Sequence, residues 1–395
     1  MESVLGVGII GAGVIMRRHA TAYRCLPEFA RLVAVADIDQ ARAIEAKREH
    51  GFQEGYTNYR DLLSREDIDL VSICTPPQSH TPIIIDALEA GKHVLCEKPM
   101  ARTLEDADRT IPVADRHPRL ALSFVYQYRS DPTHLRVRQL IQNKELGRIL
   151  MANVRVRAKR MPAYYAATPG RGSWTTDGGG VLINQAIHQL DALIFFLGTP
   201  VEVSAAMETF LQPTESEDTL VGWINFESGA FATIDCTVCA HEDWFAIDVL
   251  GENAQTTIRG DPDRHYCTWE VESKSTAVQR ALRASGLRAF PDLPSAPRRS
   301  TVRAQKVICK LRGRQWLPHQ YYGHTPHVRD VLECLRSSKP VPVPPREARR
   351  SLELAMALYE SALTRQTVRL PIDSNHVFYR GVTPDEVNPQ EMATG

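Results

Sequence analysis

From Val4 to about Phe124, short apolar runs alternate with segments whose apolar residues recur at helical spacing. Val7–Ile10, Leu32–Ala36, Ile68–Cys74, His93–Cys96 and Arg119–Val125 read as strands, mostly apolar as a sheet covered on both faces requires. Between them Gln40–His50, His80–Ala90 and Leu104–Arg116 read as helices, with a shorter one at Tyr59–Leu63. Gly91 is placed to end the second of these as a C′ glycine. Pro76 and Pro77 forbid further ladder pairing, so the chain leaves the sheet there. Such alternation predicts a parallel, doubly wound sheet with right-handed crossovers. Ligands of such sheets bind outside the carboxyl ends of the strands, where Gly11, Asp37, Thr75 and Lys98 all fall.

After about residue 126 the pattern changes. A helix over Pro132–Asn143 is followed by longer segments with period-2 alternation: Ile149–Lys159, Val201–Phe210, Thr219–Phe226, Ala230–Cys239 and Ala246–Gly251. Many strands with few helices predict an open, largely antiparallel sheet. A helix over Gly180–Leu197 interrupts it. The last helix, Pro345–Arg365, carries an apolar stripe of Leu352, Ala355, Met356, Tyr359 and Leu363. The expected organisation is an α/β unit over residues 1–125 and an α+β unit over residues 126–395. Within the second, residues 271–320 stand apart, with eleven Lys or Arg against two acids, Glu272 and Asp292. We read that stretch as a solvated surface insertion dispensable for the first unit.

The first strand ends in Gly11-Ala12-Gly13-Val14-Ile15-Met16 and runs into a helix. Gly11 permits a sharp turn and Gly13 a close approach by a pyrophosphate, which the free N–H groups and dipole of the helix start would favour. The third position of such a fingerprint is normally small, and here it is Met16. The second strand ends at Asp37, placed to accept hydrogen bonds from an adenosine ribose. Its charge repels a 2′-phosphate, and Ile38 and Asp39 supply no cation, so NAD is expected over NADP.

Composition narrows the function classes. The chain has 395 residues, 43% hydrophobic and 24% charged, the make-up of an ordinary globular protein. Its 47 basic and 47 acidic residues leave no global field for nucleic acid or membrane. No apolar run approaches the roughly 20 residues of a bilayer span, and the first strand starts too early for a signal peptide. A cytoplasmic location is expected. Cys236-Thr-Val-Cys239 is the only C-x-x-C, and in a strand those two thiols point to opposite faces, so no metal or redox role is assigned.

Two stretches carry candidate chemistry. Glu97-Lys98-Pro99 follows a strand at the nicotinamide end of the expected crevice, where an ammonium can bond a substrate hydroxyl. Asp177-Gly178-Gly179-Gly180 leads into a helix on which Asn184, His188 and Asp191 share one face at α-helical spacing. A histidine flanked by an amide and a carboxylate is a candidate for proton transfer. Tyr164, Tyr165 and Trp174 suit either the apolar faces of a pyranose or plain core packing.

The chain resembles the Gfo/Idh/MocA family of glucose–fructose oxidoreductase and inositol dehydrogenase-like proteins. The matching residues are the Gly8–Ile15 loop, Ala34–Asp37, Ile73–Pro77 with His80, Ala90–Pro99, Asp177–His188 with Asp191, and Ser361 with Val368–Pro371. The resemblance implies a Rossmann domain followed by a substrate-binding and oligomerisation domain, which makes a homodimer or homotetramer. It implies NAD held by Gly11, Gly13, Val14, Ile15, Asp37, Thr75, Pro76, His80, Glu97, Lys98 and Gln127. It makes Lys98 and His188 the catalytic pair, with Tyr164, Trp174, Asn184 and Gln185 beside them at a carbohydrate or cyclitol. Asn184 departs from the aspartate that many members carry. Asn-Gln before the histidine, and Arg171-Gly172-Ser173-Trp174, are similar to a sugar 3-dehydrogenase branch. The expected activity is NAD-dependent oxidation of a secondary hydroxyl of a pyranoside, sugar nucleotide or cyclitol. The alternatives are a redox-neutral, NAD-using glycosidase or lyase and a non-catalytic NAD-binding sensor.

Overall fold

The computed structural model describes residues 4–261, 266–273, 275–276, 280 and 323–381. The basic stretch from 281 to 320 lies outside them.

The first half is a six-stranded parallel sheet in the order β3-β2-β1-β4-β5-β6. Its strands are β1 (Leu5–Ile10), β2 (Ala30–Ala36), β3 (Glu54–Tyr56), β4 (Leu70–Ile73), β5 (His93–Cys96) and β6 (Leu122–Phe124). The helices between them are α1 (Met16–Arg24), α2 (Gln40–His50), α3 (Tyr59–Leu63), α4 (His80–Glu89) and α5 (Leu104–Arg116). Local chemistry fixes several ends. Asp39 caps α2 through the N–H groups of Ala41 and Arg42, and Gly51 ends it in the left-handed region. Thr103 caps α5 at Asp106. The strand order reverses between β1 and β4, which opens a crevice at their carboxyl ends.

The second half begins with α6 (Pro132–Gln142), capped by Asp131. Its sheet runs β13-β12-β11-β7-β10-β9-β8-β14, antiparallel throughout except for the parallel pair β7 and β10. The strands are β7 (Ile149–Lys159), β8 (Pro200–Glu208), β9 (Thr219–Phe226), β10 (Phe231–Thr237), β11 (Cys239–Gly251), β12 (Gln255–Asp261), β13 (Tyr266–Glu272) and β14 (Val368–Arg369). Its further helices include α7 (Pro162–Ala166), α8 (Ile187–Leu197), α9 (His324–Ser337) and α10 (Pro345–Thr364). The expected fold class is the observed one. Cys236 and Cys239 are unbridged, the first buried in β10.

Two sequence expectations change. The helix expected over Gly180–Leu197 is a π-helical turn, Leu182–Ala186, followed by α8. The apolar stripe read on α10 understates its burial, since every residue from Ser351 to Ser361 is buried. That helix packs between α5 of the first half and α8 and β8 of the second, so it has no solvent face along that length. The strands β3, β12, β13 and β14 and the helices α7 and α9 were not read from the sequence. The second-sheet core and one face of the first sheet form one apolar cluster, while Val7, Ile9, Val35 and Leu95 on the other face pack with α1 and α9.

Candidate active site

The crevice is built first from backbone. Gly11 has φ +96°, and a Cβ there would lie 2.7 Å from the carbonyl oxygen of Cys74. Only glycine lets the ends of β1 and β4 come this close. A Cβ at Gly13 would meet nothing within 4 Å, so its open side faces free space. Helix α1 starts at Met16 with no side-chain cap and no acid in its first turn, leaving its N–H groups for an anion. Met16 does not obstruct the turn, because its side chain is buried against Val7, Ile9 and Ala20. Asp37 accepts from the Ala12 N–H at 2.7 Å and the Asp39 N–H at 2.9 Å. Its two oxygens keep further lone pairs for a ribose diol. Val14 and Ile38 display apolar side chains that are 82% and 94% exposed. Thr75 Oγ1 and Gln127 Oε1 are buried without a hydrogen-bond partner among the described residues. Orphaned polar atoms beside an uncapped helix start and an open glycine face fit a dinucleotide.

Two residues placed by sequence among the cofactor contacts are turned inward. His80 is wholly buried, with Nδ1 2.9 Å from the Pro99 carbonyl and Nε2 2.9 Å from the Thr75 carbonyl. It ties the loop after β4 to the loop after β5. Glu97 is also buried. Its Oε1 accepts from His19 Nε2 at 2.8 Å and His324 Nε2 at 3.0 Å, and its Oε2 from the Lys98 N–H at 3.2 Å. Burial opposes the Glu97 charge, yet the two histidine hydrogen bonds outweigh it and hold the carboxyl well below the usual range. His19 and His324 were not singled out by sequence. His19 lies just past the glycine turn, while His324 comes from α9, more than 200 residues from Glu97 in the chain.

The ligand-type atoms of His19, Glu97 and His324 lie within 4.8 Å of one another, as do those of Asp131, His134 and Cys267. In the first group two histidine hydrogen bonds to Glu97 account for the closeness, and in the second a hydrogen bond joins Asp131 to His134.

Lys98 reaches across the crevice, and its Nζ donates to the carbonyl of Asn184 at 2.7 Å. Burial pushes its pKa down, with Glu97 and Asp177 opposing and Arg160 and Arg18 adding to the fall. His188 follows by four residues. Its Nδ1 is buried without a partner among the described residues, and its ring stands edge-on to Tyr126 at 6.1 Å and Tyr128 at 5.7 Å. Burial, and then the charge of Lys98, hold its pKa well below the ordinary 6.5, so the ring is neutral at pH 7.

The side-chain partners expected for His188 are absent. The Asn184 amide donates to Asp177 Oδ2 at 3.3 Å and to the Gly179 carbonyl at 3.2 Å. Asp191 is fully buried and accepts from Arg129 at 2.8 and 2.9 Å and from Ser351 Oγ at 2.8 Å. For Asn184 the π-helical turn is the reason, because its i→i+5 repeat takes positions four apart out of line, whereas Asp191 shares α8 with His188 and is held by Arg129 and Ser351 instead. Such turns are frequent at functional sites.

Gln185 Nε2 lies 3.4 Å from the hydroxyl of Tyr164, whose ring lies 4.3 Å from Arg171 and 5.3 Å from Arg160. Tyr165 packs edge-on to it. Trp174, offered by sequence as a sugar-stacking face, is only 7% exposed and stands edge-on to Tyr359 at 4.9 Å. It belongs to the core.

The arrangement is a cleft with an ammonium from one half, a neutral imidazole from the other, and a dinucleotide-type crevice leading to both. The profile of the oxidoreductase family with an NAD-binding Rossmann fold, GFO/IDH/MocA, matches residues 5–124, and that of the GFO/IDH/MocA C-terminal domain matches residues 134–257. The chain is 32% identical to D-glucoside 3-dehydrogenase of Escherichia coli over 282 residues, covering 65% of this chain and 78% of that one. It is 27% identical to myo-inositol 2-dehydrogenase of Thermotoga maritima, over 58% of this chain and 67% of that one. Among solved structures, the WlbA dehydrogenase from Bordetella pertussis, in complex with NADH and UDP-GlcNAcA, superposes with a TM-score of 0.76. The two are 27% identical, with 94% of this chain and 100% of that one covered. A nucleotide-binding half matched over its full sheet, joined to the matching C-terminal half, makes this chain an NAD-dependent oxidoreductase of the GFO/IDH/MocA family.

Proposed function

We propose that the protein oxidises a secondary hydroxyl of a pyranoside, sugar nucleotide or cyclitol, with Lys98 and His188 as its catalytic pair. The observation that carries this is the 2.7 Å contact of Lys98 Nζ with the Asn184 carbonyl, which sets the ammonium beside the segment that presents His188. NAD, when bound in the crevice, would supply the hydride acceptor for this oxidation. Lys98 donates a hydrogen bond from Nζ to the substrate oxygen and stabilises the developing alkoxide. His188, kept neutral by burial and by the Lys98 charge, has a ring lone pair with which to accept the hydroxyl proton. Gly11, Gly13, Val14, Ile15, Asp37, Thr75, Pro76 and Gln127 line the crevice for the cofactor, and His80 and Glu97 hold the loops that shape it. Asn184, Gln185 and Tyr164 border the substrate side.

Relatives named for a glucoside 3-hydroxyl, inositol and UDP-GlcNAcA support this substrate range and leave the sugar 3-hydroxyl as the first position to test. No described helix is long and apolar enough to cross a membrane, and we read the enzyme as cytoplasmic. Val221 on β9, Phe231 on β10 and Leu250 on β11 are exposed, and Trp223 stacks on Phe231 at 5.9 Å. That apolar face supports pairing of the open sheet in a homodimer or homotetramer.

The test is a panel of methyl glucosides, free sugars, UDP-sugars and inositols with NAD, read by NADH absorbance. A panel member that is oxidised with stoichiometric NADH supports the reading. Substrate consumed without net NADH, under saturating NAD, would replace it with the redox-neutral glycosidase or lyase.

A further inference from the structure

The segment that presents Asn184 and His188 follows three glycines and has no side-chain cap of its own. It is fastened from outside by Glu217, two residues before β9. Glu217 is 3% exposed. Its Oε2 accepts from the Gly180 N–H at 2.8 Å and its Oε1 from the Leu182 N–H at 2.9 Å, while its main-chain carbonyl accepts from the Val181 N–H at 3.1 Å. From α10, the Tyr359 hydroxyl donates to Oε1 at 2.9 Å and accepts from the Ile183 N–H at 3.2 Å. Four successive N–H groups, from Gly180 to Ile183, are thus taken up by Glu217 and Tyr359. The glycines make the room. A Cβ at Gly180 would lie 1.8 Å from the Glu217 carbonyl oxygen, and one at Gly179 2.3 Å from the Tyr359 hydroxyl. The close approach that the glycine run permits is that of the protein's own side chains.

We propose that the ionised carboxylate of Glu217 is a positioning group for the reaction, holding the Gly180–Leu182 turn and through it the Asn184 carbonyl against Lys98 and the His188 ring in the cleft. This rests on Lys98 and His188 being the catalytic pair. The geometry favours the anion. The carboxylate meets three donors, two N–H groups that can only donate and a phenol that donates to it here. Protonation weakens the two N–H contacts, which lose their ionised acceptor, and keeps the Tyr359 contact only if the phenol turns round to accept.

Among the described residues, the groups facing Glu217 supply no opposing cation. They are Tyr359 from α10 and Cys236 from β10, both pushed up by burial with Glu217 adding to the shift, and hence neutral. Burial pushes Glu217 itself up to about 7, with the Leu182, Tyr359 and Gly180 hydrogen bonds pulling the other way. The ionised form is therefore lost as pH falls through about 7, and turnover should fall with it. Stability runs in the opposite sense. A carboxyl whose folded pKa is raised contributes its full stabilisation below its unfolded value and loses it as pH rises through about 7.

The test uses the full chain with NADH bound. In Glu217→Gln, hydrogen exchange at the Gly180 and Leu182 amides should speed up on the order of tenfold, as expected when about one hydrogen bond's worth of protection is lost. NADH affinity should not change, since the crevice is untouched. With the panel compound that gives the fastest NADH formation, kcat should fall about tenfold, KM for NAD should hold, and the acidic limb near pH 7 should disappear. Wild-type exchange at these amides, or an unmoved limb, overturns the proposal. Tyr359→Phe covers the case in which Glu217→Gln does not fold. It removes one donor from the carboxylate, so the acidic limb should move upward, whereas a limb fixed in place with a lowered Tm makes the pair merely structural and overturns the proposal. If no panel compound yields NADH with the wild type, the catalytic reading fails, and the exchange experiment still judges the Glu217 clamp alone.

Discussion

The loops at the carboxyl ends of the first sheet and the helical segment facing them hold their shape by different means. The loops are held by backbone and by neighbours at adjoining strand ends: Gly11 against the Cys74 carbonyl, Ala12 N–H on Asp37, and His80 between two carbonyls. The facing segment is held by side chains that arrive from far away in the chain, with Asp191 on Arg129 and Ser351, Trp174 on Tyr359, and Lys98 on the Asn184 carbonyl. The first region takes one long-range support, His324 on Glu97, and otherwise shapes its ligand contacts from neighbouring strand ends. The second depends on contacts that the whole fold must bring together. Substitutions on the two sides should separate cofactor binding from turnover and stability.

The sharpest separation comes from the pair across the cleft. Removing a positioned acid or base typically costs about 10²–10⁴ in rate. Lys98→Ala and His188→Ala should each lose turnover on that scale while NADH affinity, followed by fluorescence titration, stays within about twofold. Lost NADH binding in His188→Ala would join the two regions that the comparison separates.

Next in size is a break in the long-range support. Arg129 and Asp191 are both buried, and truncating one partner of a buried pair costs about 3–5 kcal/mol because the other charge is left uncompensated. Glu347 remains 3.1 Å from Arg129, so Asp191→Ala should sit at the lower end, about 3 kcal/mol in denaturant unfolding. A loss below about 1 kcal/mol would mean that Glu347 and solvent take over the guanidinium.

This difference also decides what could be read from sequence. The parallel sheet, its glycine turn, Asp37 and the Glu97-Lys98-Pro99 strand end were legible because strand–turn–helix grammar is local. The α10 stripe was legible as periodicity, but its burial on all sides depends on α5, α8 and β8. Asp191 keeps its i,i+3 spacing from His188 within α8, but its carboxylate is taken by Arg129 and Ser351, partners distant in the chain that local spacing does not reveal. The His324 contact with Glu97 carries no local signal, since α9 follows the long basic stretch and reaches Glu97 only in the fold. Glu217 was passed over for the same reason: its ligands are main-chain N–H groups 35 and 37 residues away.

A smaller effect probes the loop side alone. Asp37 already accepts two backbone N–H groups, so it is fixed in place as well as charged. A 2′-phosphate brought beside it meets that charge. NADP should bind at least about tenfold more weakly than NAD, or about 1.4 kcal/mol. Asp37→Ser keeps an acceptor for the Ala12 N–H and removes the charge, so it should narrow the ratio mainly by improving NADP. Calorimetric titration of both cofactors measures this. A ratio unchanged in Asp37→Ser would place discrimination elsewhere in the crevice.

The smallest effect distinguishes the two aromatic groups of the substrate side. Trp174 is buried against Tyr359, while Tyr164 lies at the border of the cleft with Gln185 on its hydroxyl and two arginines against its ring. Trp174→Phe keeps an aromatic ring at the Tyr359 contact and should cost about 1 kcal/mol of stability, with KM for the sugar unchanged. Tyr164→Leu should do the reverse. It removes the platform that orders Arg160 and Arg171, worth roughly 0.5–1 kcal/mol at a partly exposed site, so KM should rise roughly threefold with little change in Tm. The paired readout matters more than either number. If Trp174→Phe raised KM while Tyr164→Leu lowered only Tm, the buried tryptophan would have to reach the substrate through a rearranged Gly170–Thr176 loop. The division between core and cleft drawn at these residues would then fail.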